Sequence, residues 1–297
     1  MKKVIYSAAP TPFTLSGELD IPAFERMIES SINSGITGFF LSGNMGEWSQ
    51  YDLSVRRQLA EHGMAAAAGR AKILMGVTET GLHKTITTMR ALAEFKPDAY
   101  VVMLPARAFF QFPAVDYVRT VLDAADRPVY YYHCPPANGI SLGNGELEAI
   151  VSHPNLEGVK NSAGDVGVRR ELLRLRRRYN FVLLEGHEWA IDEAVMLGCD
   201  GALCGMACLA GRLMCRIAGL AEAGDFAAAM DEQNKLIDIF HGIYGAEVNQ
   251  VQSALKYAMT RLGIFNNYHC LLKDDRELGE ADKRRVDECL ERYRGEW

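Results

Sequence analysis

Apolar and polar positions along the chain fall into two alternating rhythms. Short β-branched or aromatic runs recur as VIYSA (4–8), GFFLSG (38–43), AKILMGV (71–77), AYVVMLP (99–105), PVYYYHC (128–134), LEGVKNS (156–162), FVLLEG (181–186) and GALCGM (201–206). Runs of this length and composition predict buried strands. Between them lie segments with apolar residues at helical spacing, such as IPAFERMIESSINSG, DLSVRRQLAEHGMAAAAG, HKTITTMRALAEF and AVDYVRTVLDAA. The punctuation agrees: Pro97 and Asp98 precede the fourth run, Asp126 and Pro128 the fifth, and Gly198 follows the seventh helical segment. Eight strands, each followed by a helix, over about 210 residues give the rhythm of an α/β-class (β/α)8 TIM barrel. A doubly wound open sheet is the alternative. From EAGDFAAAMDEQNKLIDIF onward only helical periodicity remains, so the last ~75 residues read as a helical C-terminal extension packed on the barrel. The expected division is a barrel over residues 1–220 and an extension over residues 221–297.

Composition narrows the function classes. Of 297 residues, 48% are hydrophobic and 24% charged, as in ordinary soluble domains. The net charge of −6 gives no basic field for nucleic acid or anionic lipid. The one cationic run, RRELLRLRRRY (169–179), has helical spacing and reads as a solvated helix face. No apolar run reaches the roughly 18 residues of a membrane span. The opening MKKVIYSAAPTPF is interrupted by Pro10 and Pro12, and reads as a first strand and loop rather than a signal peptide. Seven cysteines (134, 199, 204, 208, 215, 270 and 289), an odd number mostly in apolar surroundings, point to reduced thiols in a cytoplasmic compartment. Cys204 and Cys208 lack ligand spacing and a nearby His, so they read as core residues; neither a metal nor a cofactor is expected.

Catalytic groups of such barrels lie at the C-terminal strand ends and in the loops that follow. Four stretches fall there. In NLEGVKNSAGD (155–165), Lys160 stands in an apolar strand. Simple alternation puts Leu156, Gly158, Lys160 and Ser162 on one face, with Gly158 and Ser162 leaving space beside the amine. Facing inward, the amine loses charge in low dielectric and becomes a nucleophile able to form a Schiff base; the other reading is a lysine at a strand end reaching solvent. In PVYYYHCPPANG (128–139), a tyrosine facing inward next to the lysine strand is placed to move protons, and periodicity leaves both Tyr131 and Tyr132 as candidates. In GNMGEW (43–48), the glycines let backbone N–H groups turn toward a small anion. In EGHEWAIDEA (185–194), His187, Glu188 and Trp189 would ring the mouth.

Taken together, the APTPF opening, GNMGE, YHCPPANG and GVKNSAGD resemble the dihydrodipicolinate synthase/N-acetylneuraminate lyase family in order and spacing. The resemblance extends to about GALCGM, with a similar helical tail, and implies a class I, pyruvate-dependent aldolase barrel that works as a homodimer or homotetramer. By resemblance, Lys160 is the Schiff-base lysine that attacks pyruvate or another 2-oxo acid, Tyr132 is the proton-shuttling tyrosine, and Gly43, Asn44 and Met45 form the loop whose amides hold the substrate carboxylate. Ser162, Gly186, His187, Glu188 and Gly205 complete the implied binding set, and Arg107 is a further binding candidate that the chain's own sequence offers.

The chain also departs from the family pattern. Asn44 and Met45 stand where hydroxyl residues are usual, and an amide cannot relay a proton as a hydroxyl does. Arg107 replaces the tyrosine that synthases reach in from a neighbouring subunit, and it reads either as an anion grip or as a surface or interface residue. Ala137 replaces the arginine that holds the synthases' second substrate, which argues against lysine-pathway synthesis. Trp189 replaces an acidic residue of the lyases. The expected function is a Schiff-base lyase or aldolase acting between pyruvate and an aldehyde. A neutral aldehyde is favoured, with Trp189, Phe109 and Phe110 near the mouth. The alternatives are 4-hydroxy-tetrahydrodipicolinate synthesis, dehydration of a 2-oxo-3-deoxy sugar acid, and a catalytically silent barrel that binds 2-oxo acids.

Overall fold

Strands β1 (Val4–Ala8), β2 (Gly38–Leu41), β3 (Lys72–Gly76), β4 (Ala99–Met103), β5 (Val129–His133), β6 (Leu156–Asn161), β7 (Val182–Glu185) and β8 (Gly201–Cys204) pair in chain order, all parallel. β1 also pairs with β8, which closes the barrel. The structure, a computed structural model, describes residues 3–109, 112–248, 250–272 and 278–297. Helices α1 (Ile21–Asn33), α2 (Leu53–Ala67), α3 (Leu82–Leu92), α4 (Ala114–Ala124), α5 (Asn144–Val151), α6 (Val166–Leu175), α7 (Ile191–Met196) and α8 (Ala207–Ala223) each follow the strand of the same number. The TIM barrel read from the sequence is the fold. Among the described residues, no helix is long and apolar enough to cross a membrane.

Local chemistry starts and stops these helices. Asp20 caps α1 by accepting from the Ala23 amide, and Asp165 caps α6 by accepting from Val168. Each such cap contributes about 1 kcal/mol. Gly224, at φ 81°, ends α8 in a left-handed conformation that a side chain would strain. Strand residues alternate between two apolar clusters. The outer one, including Val129, Tyr131 and Val159, packs against the helices; the inner one fills the barrel with Tyr6, Phe40, Leu74, Val101, Tyr130, Tyr132, Leu184 and Leu203. Burial on both faces explains why the strands read as continuous apolar runs.

Two expectations for β6 are corrected. Val129 pairs with Leu156 but Tyr130 pairs with Gly158, so a bulge at Glu157 breaks the alternation. Leu156 therefore joins the outer cluster, on the other face from Gly158 and Lys160. Nor does Gly158 leave space beside the amine. A Cβ there would stand 2.5 Å from the Tyr130 ring, so the space is already filled. The cationic run is also more than a solvated face. Arg169 is buried, in ion-pair contact with Glu185 (2.9 Å) and Glu193 (3.0 Å). Arg176 donates to the carbonyls of Phe181 and Gly198 and to Asp200. The remaining arginines of the run do face outward.

After the barrel come α9 (Phe226–Tyr244), α10 (Val251–Arg261) and α11 (Glu280–Arg292). α9 packs along α8, and α11 packs on both α9 and α10. The C-terminal end of α9 and the start of α10 reach the mouth of the barrel, where Phe240, Tyr244 and Val251 meet the ends of the strands.

Candidate active site

A cavity of about 160 Å³ opens at the C-terminal ends of the strands. Its walls include Lys160 from β6, Tyr132 from β5, Asn44 and Met45 after β2, Gly186 and Glu188 after β7, and Gly205 after β8. Lys160 and Tyr132 are register partners on adjacent strands. The amine lies 4.0 Å from the centre of the Tyr132 ring and 5.5 Å from that of Phe40. Tyr131 faces the helices instead, so geometry selects Tyr132 from the two candidates. Burial holds the Lys160 amine below the ordinary lysine range, against the opposing pull of Cys204, Cys134, Glu188 and Glu185. Burial raises the Tyr132 phenol, and Cys134 adds to the rise. Burial thus favours the uncharged form of each group, the free amine of Lys160 and the protonated phenol of Tyr132.

The loop after β2 is a tight turn. The amides of Gly46 and Trp48 donate to the Gly43 carbonyl, and that of Glu47 donates to Asn44. Among the described residues, the amides of Asn44 and Met45 donate to no protein acceptor. Gly43 passes so near Phe40 that a Cβ would sit 2.7 Å from the ring. The Asn44 side-chain oxygen is occupied, accepting from the Trp48 indole at 2.9 Å. Met45 lies against Gly205, where a Cβ would come within 3.0 Å of its side chain.

Glu47 holds this turn from behind. It adopts the left-handed region at φ 59°, is buried, and forms an ion pair with Lys256 of α10 in which neither side chain has any exposure. Its other oxygen accepts from the amides of Leu271 (2.6 Å) and Leu272 (2.8 Å), while Lys256 also donates to the His269 carbonyl (2.9 Å). The turn is therefore fastened to the C-terminal helices rather than to the barrel alone.

On the opposite wall, Gly186 is required because a Cβ would overlap Ser162 Oγ at 1.9 Å. Ser162 Oγ is buried and completes no hydrogen bond. Glu188 is buried, and burial raises its carboxyl, although the Met206 amide donates to it at 3.0 Å. Gln233 of α9 fixes this segment: its side-chain N–H donates to the Glu188 carbonyl at 2.8 Å, and its oxygen accepts from the Ile191 and Asp192 amides. His187 does not line the cavity; it stacks on Trp189 at 5.3 Å, and burial lowers its imidazole. Arg107 is exposed and donates to the Gly139 carbonyl at 3.0 Å, away from the cavity. Trp189 and Phe109 are exposed, and Phe110 lies outside the described residues. Cys204 and Cys208 are buried, and their thiols point at the Glu185 and Gly205 carbonyls.

Sequence reasoning missed Tyr244, Phe240, Gln233 and Lys256. All come from the tail, where helical periodicity marks burial but not which buried face meets a cavity. A buried Gln or Lys inside an apolar helix stripe, as in SALKYAM, was the one available signal.

The sequence profile of the dihydrodipicolinate synthetase family matches residues 1–283. A 4-hydroxy-tetrahydrodipicolinate synthase of Stenotrophomonas maltophilia (strain R551-3) is 30% identical, over 88% of this chain and 86% of its own. A probable 2-dehydro-3-deoxy-D-pentonate aldolase of Escherichia coli (strain K12), YjhH, is 27% identical over 91% of each chain. Among solved structures, YagE, a prophage protein of the dihydrodipicolinic acid synthase family from E. coli K12 in complex with pyruvate, superposes with a TM-score of 0.88. That match covers 98% of both chains at 24% identity and shows likeness of fold.

Proposed function

Because the chain belongs to the dihydrodipicolinate synthetase family, we propose that it is a pyruvate-dependent, lysine Schiff-base aldolase whose nucleophile is Lys160. One observation carries the reading: a buried amine held below its ordinary pKa, in register with an inward-facing phenol, across a cavity from two unused amides. The Asn44 and Met45 amides take the 2-oxo acid carboxylate. Lys160 Nζ attacks C2, and the carbinolamine loses water as Tyr132 supplies the proton. The resulting iminium withdraws electrons from C3. In the cleavage direction, the Tyr132 phenolate takes the C4–OH proton, the C3–C4 electron pair moves into the enamine, and an aldehyde leaves. Protonation at C3 and hydrolysis then release pyruvate and the free amine. YagE is described in complex with pyruvate, which supports the same ligand here.

A neutral aldehyde is the partner we favour. Beside Asn44 lies an outer cleft of about 300 Å³ lined by Trp48, Met103, Ala106, Ala137, Gln252 and Leu272. The charged residue in this lining, Glu47, is already engaged by Lys256. Ala137 offers no cation to a carboxylate, and Arg107 is turned to Gly139. Losing an arginine removes a charge-assisted, often bidentate contact. The homodimer or homotetramer implied by the resemblance belongs to this reading, with Phe109 and Phe112 exposed on the loop after β4.

Borohydride reduction in the presence of pyruvate, followed by peptide mass spectrometry, tests the class: an adduct on Lys160 is expected, and its absence refutes the reading. Condensation of pyruvate with a neutral aldehyde and with aspartate semialdehyde tests the partner. Clear preference for the semialdehyde, with cyclised product, would establish the synthase activity that several relatives are named for.

A further inference from the structure

Tyr244 is the last residue of α9, and Gly245, at φ 76°, ends the helix there. The tyrosine is 2% exposed and its hydroxyl is buried without a hydrogen-bond partner. It lines the same cavity as Lys160, Tyr132 and Glu188. The ring cannot swing away easily. It meets Phe240 edge-on at 4.8 Å, Phe240 meets Trp189 edge-on at 4.8 Å, and Trp189 stacks on His187. A buried phenol left without a partner destabilises the empty protein, and a fold that fixes one in a ligand cavity leaves the partner to be brought by the ligand.

Apart from Glu188, the other polar groups of the cavity already have tasks with a 2-oxo acid: the two amides with its carboxylate, Lys160 with C2, and Tyr132 with the proton. Pyruvate has no oxygen beyond these. We propose that Tyr244 is a specificity-determining residue, donating a hydrogen bond to an uncharged oxygen on the aldehyde-derived carbon chain of the substrate. The inference rests on the aldolase reading of this cavity. Burial and the neighbouring Glu188 keep the phenol protonated and therefore a donor. The same Glu188 makes the spot unfavourable for a second carboxylate. The favoured ligand is thus a 2-oxo acid with hydroxyl groups along its chain.

The test compares wild type and Tyr244→Phe in borohydride trapping with pyruvate and with 2-oxo-3-deoxypentonate, counting intact and cleaved adducts by mass. In the wild type, half-saturation is expected at lower concentration for the pentonate than for pyruvate. In Tyr244→Phe that advantage is expected to fall roughly tenfold, the equivalent of one hydrogen bond, and the thermal midpoint of the empty protein to be at or above that of wild type. An unchanged advantage, an equal weakening of both ligands, or a midpoint several degrees lower would each overturn the assignment. The last two would mean that the phenol serves the 2-oxo acid group or the fold. A wild-type pyruvate adduct without preference for the pentonate overturns the Tyr244 assignment alone; no adduct with either ligand overturns the aldolase reading together with it.

Discussion

Lys256→Met removes one half of the ion pair behind the substrate turn. Both side chains are fully buried, so the Glu47 carboxylate would be left with the Leu271 and Leu272 amides as its partners. Breaking a buried pair from one side costs roughly 3–5 kcal/mol, because the surviving charge stays desolvated. An unfolding entropy of about 2.1 cal/mol/K per residue amounts to about 0.6 kcal/mol/K for this chain, so the melting midpoint should fall by about 5–8 °C. The double variant Glu47→Gln, Lys256→Met carries no buried charge and should recover a large part of the loss. Denaturant unfolding of the wild type, Lys256→Met, Glu47→Gln and the double variant gives the coupling between the two residues directly. Pyruvate trapping adds a second readout, since loosening the turn displaces the Asn44 and Met45 amides: half-saturation should move to higher pyruvate even where the protein is fully folded. A single-variant loss below about 1 kcal/mol, typical of a surface pair, or strictly additive variants, would refute the reasoning.

Lys160→Met should abolish the borohydride adduct and stabilise the fold at neutral pH. The folded amine titrates below its ordinary 10.5, so between the two values the unfolded chain holds the extra proton and wild-type stability rises with pH. The stability advantage of the variant should accordingly be largest below the folded pKa and shrink as pH approaches 10.5; an advantage growing with pH would contradict this. Tyr132→Phe should lower turnover by roughly 10²–10⁴ while changing pyruvate binding much less, and a larger loss in Tyr131→Phe would refute the assignment. Arg107→Ala should be nearly silent in steady-state kinetics with neutral aldehydes, and selective weakening of acidic substrates would restore the anion-grip reading.

The barrel was legible because each strand is a short apolar run bounded by turn residues, and burial on both faces makes such runs conspicuous. Lys160 was legible for the converse reason, as a charge where burial forbids one. The face of β6 was not: one extra residue at Glu157 reverses the alternation, and nothing in LEGVK marks a bulge. The choice between Tyr131 and Tyr132 also lay beyond periodicity, since three consecutive tyrosines suit both sides of a doubly buried strand. The cationic run misled because charge density masks two members, Arg169, which turns inward to Glu185, and Arg176, which is spent on Phe181, Gly198 and Asp200. The tail residues were hidden for a geometric reason. Helical spacing tells which residues of α9 are buried, but it cannot tell that Gln233 is spent on the segment around Glu188 while Tyr244 lines the cavity that Lys160 also lines.

The fastening of Glu47 to Lys256, Leu271 and Leu272 has a consequence for the order in which the protein becomes an enzyme. On the ribosome, the eighth strand is complete once Cys204 has been made, and a barrel can close. The turn after the second strand was translated long before, yet its clasp does not exist until about 70 further residues follow, roughly 3–14 s at ordinary elongation rates. Until those residues are made, nothing fastens the turn from behind: Glu47 has neither the Lys256 amine nor the Leu271 and Leu272 amides to meet.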